Sequence, residues 1–447
     1  MTHRIQQESV KRRLVKLAAP IFVETLLIMM LGAVDTIMLS RHSDSSVAAV
    51  GVVNQIIMLT FLVFEVINLG TSVLCSQYLG AKLQKKVVQV VGVSLLVNLV
   101  VGGVISLFLC LMNTTILGWM GLGPELMADG ADYMRIVGAF AFFQAISLTL
   151  SASLRSANKA IYPMLVTVVV NILNIIGNYS LIFGKFGFPQ LGIAGAAIGS
   201  SLAELVSVIF FIIYTWKRID CKKYALNILP KFQSRTLKRI LNVSVWTMIQ
   251  NFVSLSTWFM FFLFVEHLGE RSLAIANIIR NVSGIPFMIA MAFAATCGSL
   301  VSNLIGAGEK DCVRGTINQH IRIGYVFVLP ILIFFCLFPD LILRIYTDMP
   351  DLRDASIPSL WVLCAAYVVL VPANVYFQSV SGTGNTRTAL AMELCVLTIY
   401  VAYATYFILY LKMDIAFAWT TESVYGIFIL LFCYWYMKKG NWQKKKI

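Results

Sequence analysis

The residues in this sequence with the clearest chemical promise are one carboxylate and three amides. Asp35 stands near the far end of LVKLAAPIFVETLLIMMLGAVDTIML, residues 14–39, a stretch longer than the ~20 apolar residues that cross a bilayer. A carboxylate in a spanning helix costs about 2.5–3.5 kcal/mol at the centre and less near an interface, so it faces a partner, water or a cargo. Candidate partners lie in VVVNILNIIGNYSLIF, where Asn171, Asn174 and Asn178 recur at spacings of three and four and so share one helical face. Two readings of this stripe stand side by side. It can supply interhelical hydrogen bonds, each contributing ~0.6 kcal/mol. It can also complete a cation or proton site with Asp35 as its charged member, because Asp and Asn oxygens suit a hard cation. Ser200, in LGIAGAAIGSS, offers a further oxygen. Gly192, Gly195 and Gly199 of the same segment read as small faces for close packing.

Other polar residues within apolar stretches are Glu24, Glu65, Glu204, Glu393 and Glu422. The last three read as lying near helix ends or pairing with neighbours. Arg280 has two equal readings, a side chain reaching the interface or a charge lining a cavity. Gln55, Asn171, Gln250, Arg280, Asn281, Asn374 and Gln378 are the candidates for contacting a substrate. Pro20, Pro286, Pro330 and Pro372 fall inside apolar segments, where a proline can kink a helix; Pro20, Pro286 and Pro372 are hinge candidates. No nucleotide-binding GxxxxGK[ST], GxSxG or HExxH motif is present, so no catalytic residue, nucleotide or cofactor is expected. The nine cysteines and four histidines form no CxxC or mixed cluster, which argues against a metal site.

These residues must be held by membrane-spanning helices. Of 447 residues 59% are hydrophobic and 13% charged, where a soluble domain has ~25% charged. Twelve apolar segments are expected near 14–39, 47–79, 88–112, 129–157, 160–183, 191–216, 238–267, 274–305, 317–339, 356–381, 388–411 and 414–436. The net charge of +14 reads as loop base facing the cytoplasm, not as a nucleic-acid surface. Lys and Arg crowd the N-terminus, the even-numbered loops and the C-terminal tail, so both termini are expected in the cytoplasm. An internal repeat is also visible. SVAAVGVVNQ…SQYLGA at 46–81 matches SLAIANIIRN…SNLIGA at 272–307 with an offset of 226, and LRSANKA at 154–160 matches SGTGNTR at 381–387 with an offset of 227, pairing Asn158 with Asn385. Two parallel six-helix halves follow, with a substrate path between them. The expected domains are an N-terminal lobe over 1–216, a basic linker over 217–239, a C-terminal lobe over 240–436 and a basic tail over 437–447.

PIFVETLLIMMLGAVDTIMLSRHSDSSVAAVG, YLGA, SLRSANKA and NIIGNYSLIFGKFGFPQLGIAGAAIGSS together resemble the multidrug and toxic compound extrusion (MATE) transporters over most of the chain. The resemblance implies an all-α protein of twelve transmembrane helices in two six-helix lobes related by a pseudo-two-fold axis, with a V-shaped central cavity. It implies export of amphipathic, often cationic, compounds against a proton or sodium gradient from the bacterial inner membrane, by a monomer. Asp35 matches the family's first-helix acid of ion coupling and Asn174 a polar ligand of the same site. Asn178 falls where one branch of the family has a second acid and another has Asn. The seventh-helix acid of some members has no match in MIQNFVSLSTWF, which offers Gln250, Asn251 and Ser254. The second half therefore reads as uncharged apart from Arg280, and coupling as resting on Asp35. An alternative of the same superfamily is a lipid-linked oligosaccharide flippase, which would call for more intramembrane Arg and Lys. A non-transporting receptor or scaffold is a third reading.

Overall fold

The structure is a computed structural model that describes residues 2–41, 43–218, 232–439 and 441–444. The described chain is almost entirely helical. The first half contains α1 (Thr2–Ser40), α2 (Asp44–Gly80), α3 (Gln84–Leu111), α4 (Asn113–Trp119), α5 (Pro124–Ala139), α6 (Ala141–Ser156), α7 (Ile161–Phe183) and α8 (Gly192–Arg218). The second contains α9 (Ser234–Glu266), α10 (Glu270–Ala307), α11 (Cys312–Leu337), α12 (Pro339–Leu343), α13 (Pro350–Gly382), α14 (Thr386–Ala404), α15 (Ile415–Ala418) and α16 (Thr420–Lys439), with a π-helical turn at Thr405–Tyr410.

Eleven helices or continuous helical stretches among the described residues are long and apolar enough to cross a membrane, and a bent pair makes the twelfth. That pair, α5 and α6, turns by 45° within the segment expected over 129–157. The break falls at Phe140, whose ψ of 5° leaves the helical region. Ser106 Oγ, 3.1 Å away on α3, accepts from the Phe142 amide, so the interruption does not strand a backbone donor in lipid. Gly102 lets α3 come this close: a Cβ there would lie 3.1 Å from Phe142 Cα. Outward-facing Leu107, Leu111, Val326, Ile333 and Leu431 are exposed, as lipid-facing residues are.

The repeat is written in the backbone. Lys82 and Gly308 close the turns after α2 and α10 with φ of 57° and 79°, and Asn158 and Gly384 close those after α6 and α13 with φ of 59° and 78°. Both pairs are 226 residues apart. Left-handed positions favour Gly and Asn, so geometry matches Asn158 with Gly384, one residue before the Asn385 expected from sequence. The fourth span, bent in the first half, is the continuous α13 in the second.

The chain divides into two compact units, one comprising Ala19–Leu79 and Leu83–Ser244, the other Val245–Ile447 with Met1–Ala18 and Gly80–Lys82. The division falls inside α9, beyond the 217–239 linker read from the charge pattern, most of which lies outside the described residues. Packing explains why. Arg239 Nη1 donates to Tyr78 Oη at 2.9 Å, Ser244 Oγ accepts from Gly70 N at 3.1 Å, and Ile240 joins Ile67, Leu74 and Tyr78 in one apolar cluster. The first turns of α9 thus belong to the first unit's core. Within that unit α7 lies against α8, and Leu39, Val53, Ile56, Leu109, Met134, Ile182 and Ala197 share a core. In the second, α10 and α13 meet where a Cβ on Gly382 would lie 2.4 Å from the Gly298 carbonyl oxygen. Pro20, Pro286 and Pro372 sit inside α1, α10 and α13, each of which runs through its proline without interruption.

Candidate functional site

Asp35 is brought to the asparagine stripe. α1 carries Asp35 in its last turns, and α7 carries Asn171, Asn174 and Asn178 on one buried face. Asn178 is fully buried and Asn174 is 1% exposed, so their amides must find partners. Asn178 Nδ2 donates to Asp35 Oδ1 at 2.8 Å and to Asn174 Oδ1 at 3.0 Å. Asn174 Nδ2 donates to Ser200 Oγ on α8 at 2.9 Å. Asp35, Asn178, Asn174 and Ser200 therefore form one unbroken chain of polar contacts across three helices. Asp35 itself is half-buried, with one carboxylate oxygen anchored. An anionic oxygen presented from a fixed amide can take a proton or a small cation and release it without rebuilding the helix.

Small residues set this geometry. A Cβ on Gly199 would lie 2.3 Å from Asn178 Oδ1, and one on Gly195 would lie 2.6 Å from the Leu181 carbonyl. The glycines let α8 approach close enough for Ser200 to reach the stripe. Tyr133 of α5 is buried and within electrostatic range of Asp35. It was not singled out in the sequence, where an aromatic in an apolar helix carries no signal.

Asn171, placed among the substrate-contacting candidates, uses its donor on the scaffold: Nδ2 binds the Leu27 carbonyl of α1 at 2.7 Å. Gln55 is exposed on α2. The remaining candidates are in the second unit. Gln250 is buried with Oε1 unpartnered. Arg280 lies 5.8 Å from the Trp258 ring and 5.2 Å from that of Phe262, a cation–π arrangement. Asn281 is exposed, and Asn374 and Gln378 are half-buried.

The expectation that the second half is uncharged apart from Arg280 is overturned. Glu393 of α14 is 1% exposed. Its Oε1 lies 2.6 Å from Ser254 Oγ of α9, and Tyr425 Oη donates to it from 3.1 Å on α16. Glu422 accepts from Tyr400 Oη at 3.2 Å. The pairing of Glu393 with Ser254 was not legible because the two lie 139 positions apart. Replacing Glu393 with Ala would strip the acceptor from the Tyr425 hydroxyl, at about 1–3 kcal/mol for a stranded group, while Ser254 Oγ would keep the Gln250 carbonyl at 2.9 Å. We expect Glu393→Ala to lower the melting temperature in detergent, and Glu393→Gln, which keeps an acceptor oxygen, to lower it less. Equal melting of the two variants would show that the carboxylate's place is not held by these bonds. Among the described residues no three His, Cys, Asp or Glu side chains gather as a metal site.

The MatE family model matches residues 20–180 and again 247–406. The chain belongs to the MatE family. The double match reproduces the repeat seen in the backbone turns, and MatE proteins are transporters, not enzymes. Among curated relatives, an uncharacterized transporter, YisQ of Bacillus subtilis, is 30% identical over 385 residues, covering 85% of this chain and 84% of the relative. A probable multidrug resistance protein, NorM of Thermotoga maritima, is 27% identical over 441 residues, covering 98% and 94%. In fold, the MatE chain is similar to a solved outward-facing multidrug resistance MATE family transporter of the MOP superfamily (TM-score 0.85, 19% identity, 96% and 95% coverage). It is likewise similar to a MOP superfamily transporter from Pyrococcus furiosus (TM-score 0.84, 19% identity, 98% and 97% coverage).

Proposed function

We propose that this MatE transporter is a secondary antiporter. It exports amphipathic, cationic small molecules from the cytoplasm in exchange for protons or sodium ions, as a monomer in the bacterial inner membrane with both termini inside. The observation that carries this reading is the anchored carboxylate of Asp35 within a spanning helix. An ionisable group within a spanning helix is costly and marks an ion or proton pathway. The multidrug resistance names of curated relatives support the cargo class, and the crowding of Lys and Arg in alternate loops supports the orientation. In the two-lobe scheme, loading Asp35 changes how α1 sits on α7 and releases cargo outward. The flippase reading is less well supported, because Arg280 is packed against two rings.

The test is transport of a cationic dye by purified protein in liposomes, with a proton gradient and a sodium gradient imposed separately. Dye movement driven by one gradient is the expected result and names the ion. No movement with either gradient would defeat the antiport reading.

A further inference from the structure

A second acidic cluster lies in the same lobe as Asp35, at the end where the basic N-terminal segment enters. Glu24 of α1 is 5% exposed. Its Oε1 accepts from Ser151 Oγ of α6 at 3.2 Å, and Arg155 Nη1 of α6 lies 3.9 Å from its Oε2, too far for a hydrogen bond. Oε2 is buried with no hydrogen-bond partner. Glu65 of α2 faces both Arg155 and Glu24. Two carboxyl groups therefore lie near one guanidinium.

Three features separate this cluster from a scaffold ion pair. The first is asymmetry. At the repeat offset of 226, Glu24, Glu65 and Arg155 fall opposite Gln250, Met291 and Ser381, and at 227 the partner of Glu24 is Asn251. The second lobe thus builds the same helices with no charge at any of these places. The second is register. Glu24 and Asp35 are eleven residues apart on α1, which at ~100° per residue puts them on one face and about 16 Å apart. The third is continuity. Asn171 holds the α1 backbone at Leu27, between the two acids, and begins the α7 stripe that ends at the Asn178 bond to Asp35.

Resting on the antiport reading above, we infer that Glu24 is an inner cation acceptor of the first lobe. The coupling cation passes from Asp35 along the α1–α7 polar seam to the Glu24–Glu65–Arg155 cluster before it leaves to the cytoplasm. Ser151 and Arg155 position the Glu24 carboxylate, and Arg155 of α6 and Glu65 of α2 are the titratable groups facing it. A proton or a monovalent cation would bind at Oε2, which accepts no hydrogen bond and has only the Arg155 guanidinium at 3.9 Å.

The test uses the full-length protein in liposomes. Wild type, Glu24→Gln, Glu24→Asp and Asp35→Asn are compared for dye transport under proton and sodium gradients, for dye binding and for melting temperature. Glu24→Gln is expected to keep dye binding and melting temperature near wild type, to lose about 10²-fold in gradient-driven transport, and to lose the dependence of rate on the inner pH or sodium. Glu24→Asp is expected to recover much of both. In wild type, a hydrophobic carbodiimide should modify Glu24 as read by peptide mass spectrometry. Protection by sodium at fixed pH would name sodium, and protection by raised pH alone would name protons. Three results would overturn the proposal: Glu24→Gln transporting like wild type, its loss tracking lost melting temperature and dye binding, or no carbodiimide adduct at Glu24 at any pH. If Glu24→Gln does not fold, the adduct and Glu24→Asp decide. If wild type itself responds to neither gradient, the antiport reading fails and this proposal with it. If wild type responds and Asp35→Asn does not while Glu24→Gln does, the inner acceptor alone fails.

Discussion

Asp35→Asn should abolish gradient-driven transport, by roughly 10²-fold or more, while leaving cargo binding and melting temperature close to wild type. The geometry dictates this separation. The substituted side chain keeps an oxygen where Asp35 Oδ1 accepts from Asn178, so the α1–α7 contact survives. It removes the charge that a proton or sodium ion would neutralise, so the two loaded states become one. Asp35→Ala should differ in kind, because Asn178 Nδ2 keeps its bond to Asn174 but loses the first helix. It should weaken melting temperature as well as transport. The measurement is dye transport in liposomes beside dye binding in detergent for wild type and both variants. Intact gradient dependence in Asp35→Asn would remove Asp35 from the coupling step.

The spans were legible in the sequence because each is a local run of apolar residues, and a local signal needs no knowledge of the partner. The asparagine stripe was legible for the same reason: a spacing of three and four fixes a face whatever that face meets. Its partner Asp35 announced itself by cost, as a charge within an apolar stretch. The other pairings across distant segments were not legible. Glu24 meets Ser151 and Arg155 more than a hundred residues away, and Arg155 read from the charge pattern as an ordinary loop cation. Glu393 meets Ser254 across 139 positions, so the sequence left open whether it lay near a helix end or paired with neighbours. The bend at Phe140 escaped because the one weak helix former in GAFAFF, Gly138, is of a type common inside spanning helices. It depends on Ser106, a residue of another helix, taking the freed amide. The place of the first turns of α9 in the first unit's core rests on their packing onto Tyr78 and Gly70, which no local pattern shows.

Gly195→Ala and Gly199→Ala should fail in opposite ways, although both sit on the same face of α8. A methyl on Gly195 would meet the Leu181 carbonyl carbon and oxygen, each at 2.6 Å. Backbone within a packed helix cannot yield that distance locally, so α7 and α8 must separate. Overpacking of this kind costs about 1–3 kcal/mol, and Gly195→Ala should show a lowered melting temperature and poor recovery from the membrane. A methyl on Gly199 would meet Asn178 Oδ1 at 2.3 Å, with Asn178 N next at 3.1 Å. The oxygen is the end of a rotatable amide and can swing aside, so the fold should survive. The swing takes Nδ2 away from Asp35 and Asn174, so Gly199→Ala should keep most of its thermal stability and lose transport to the level of Asn178→Ala. A double-mutant cycle settles whether this route is correct. If the methyl acts by displacing the Asn178 amide, adding Gly199→Ala to Asn178→Ala should do no further harm, because the amide is already gone. If the two losses simply add, the methyl acts on helix packing, and the glycine serves the scaffold and not the site.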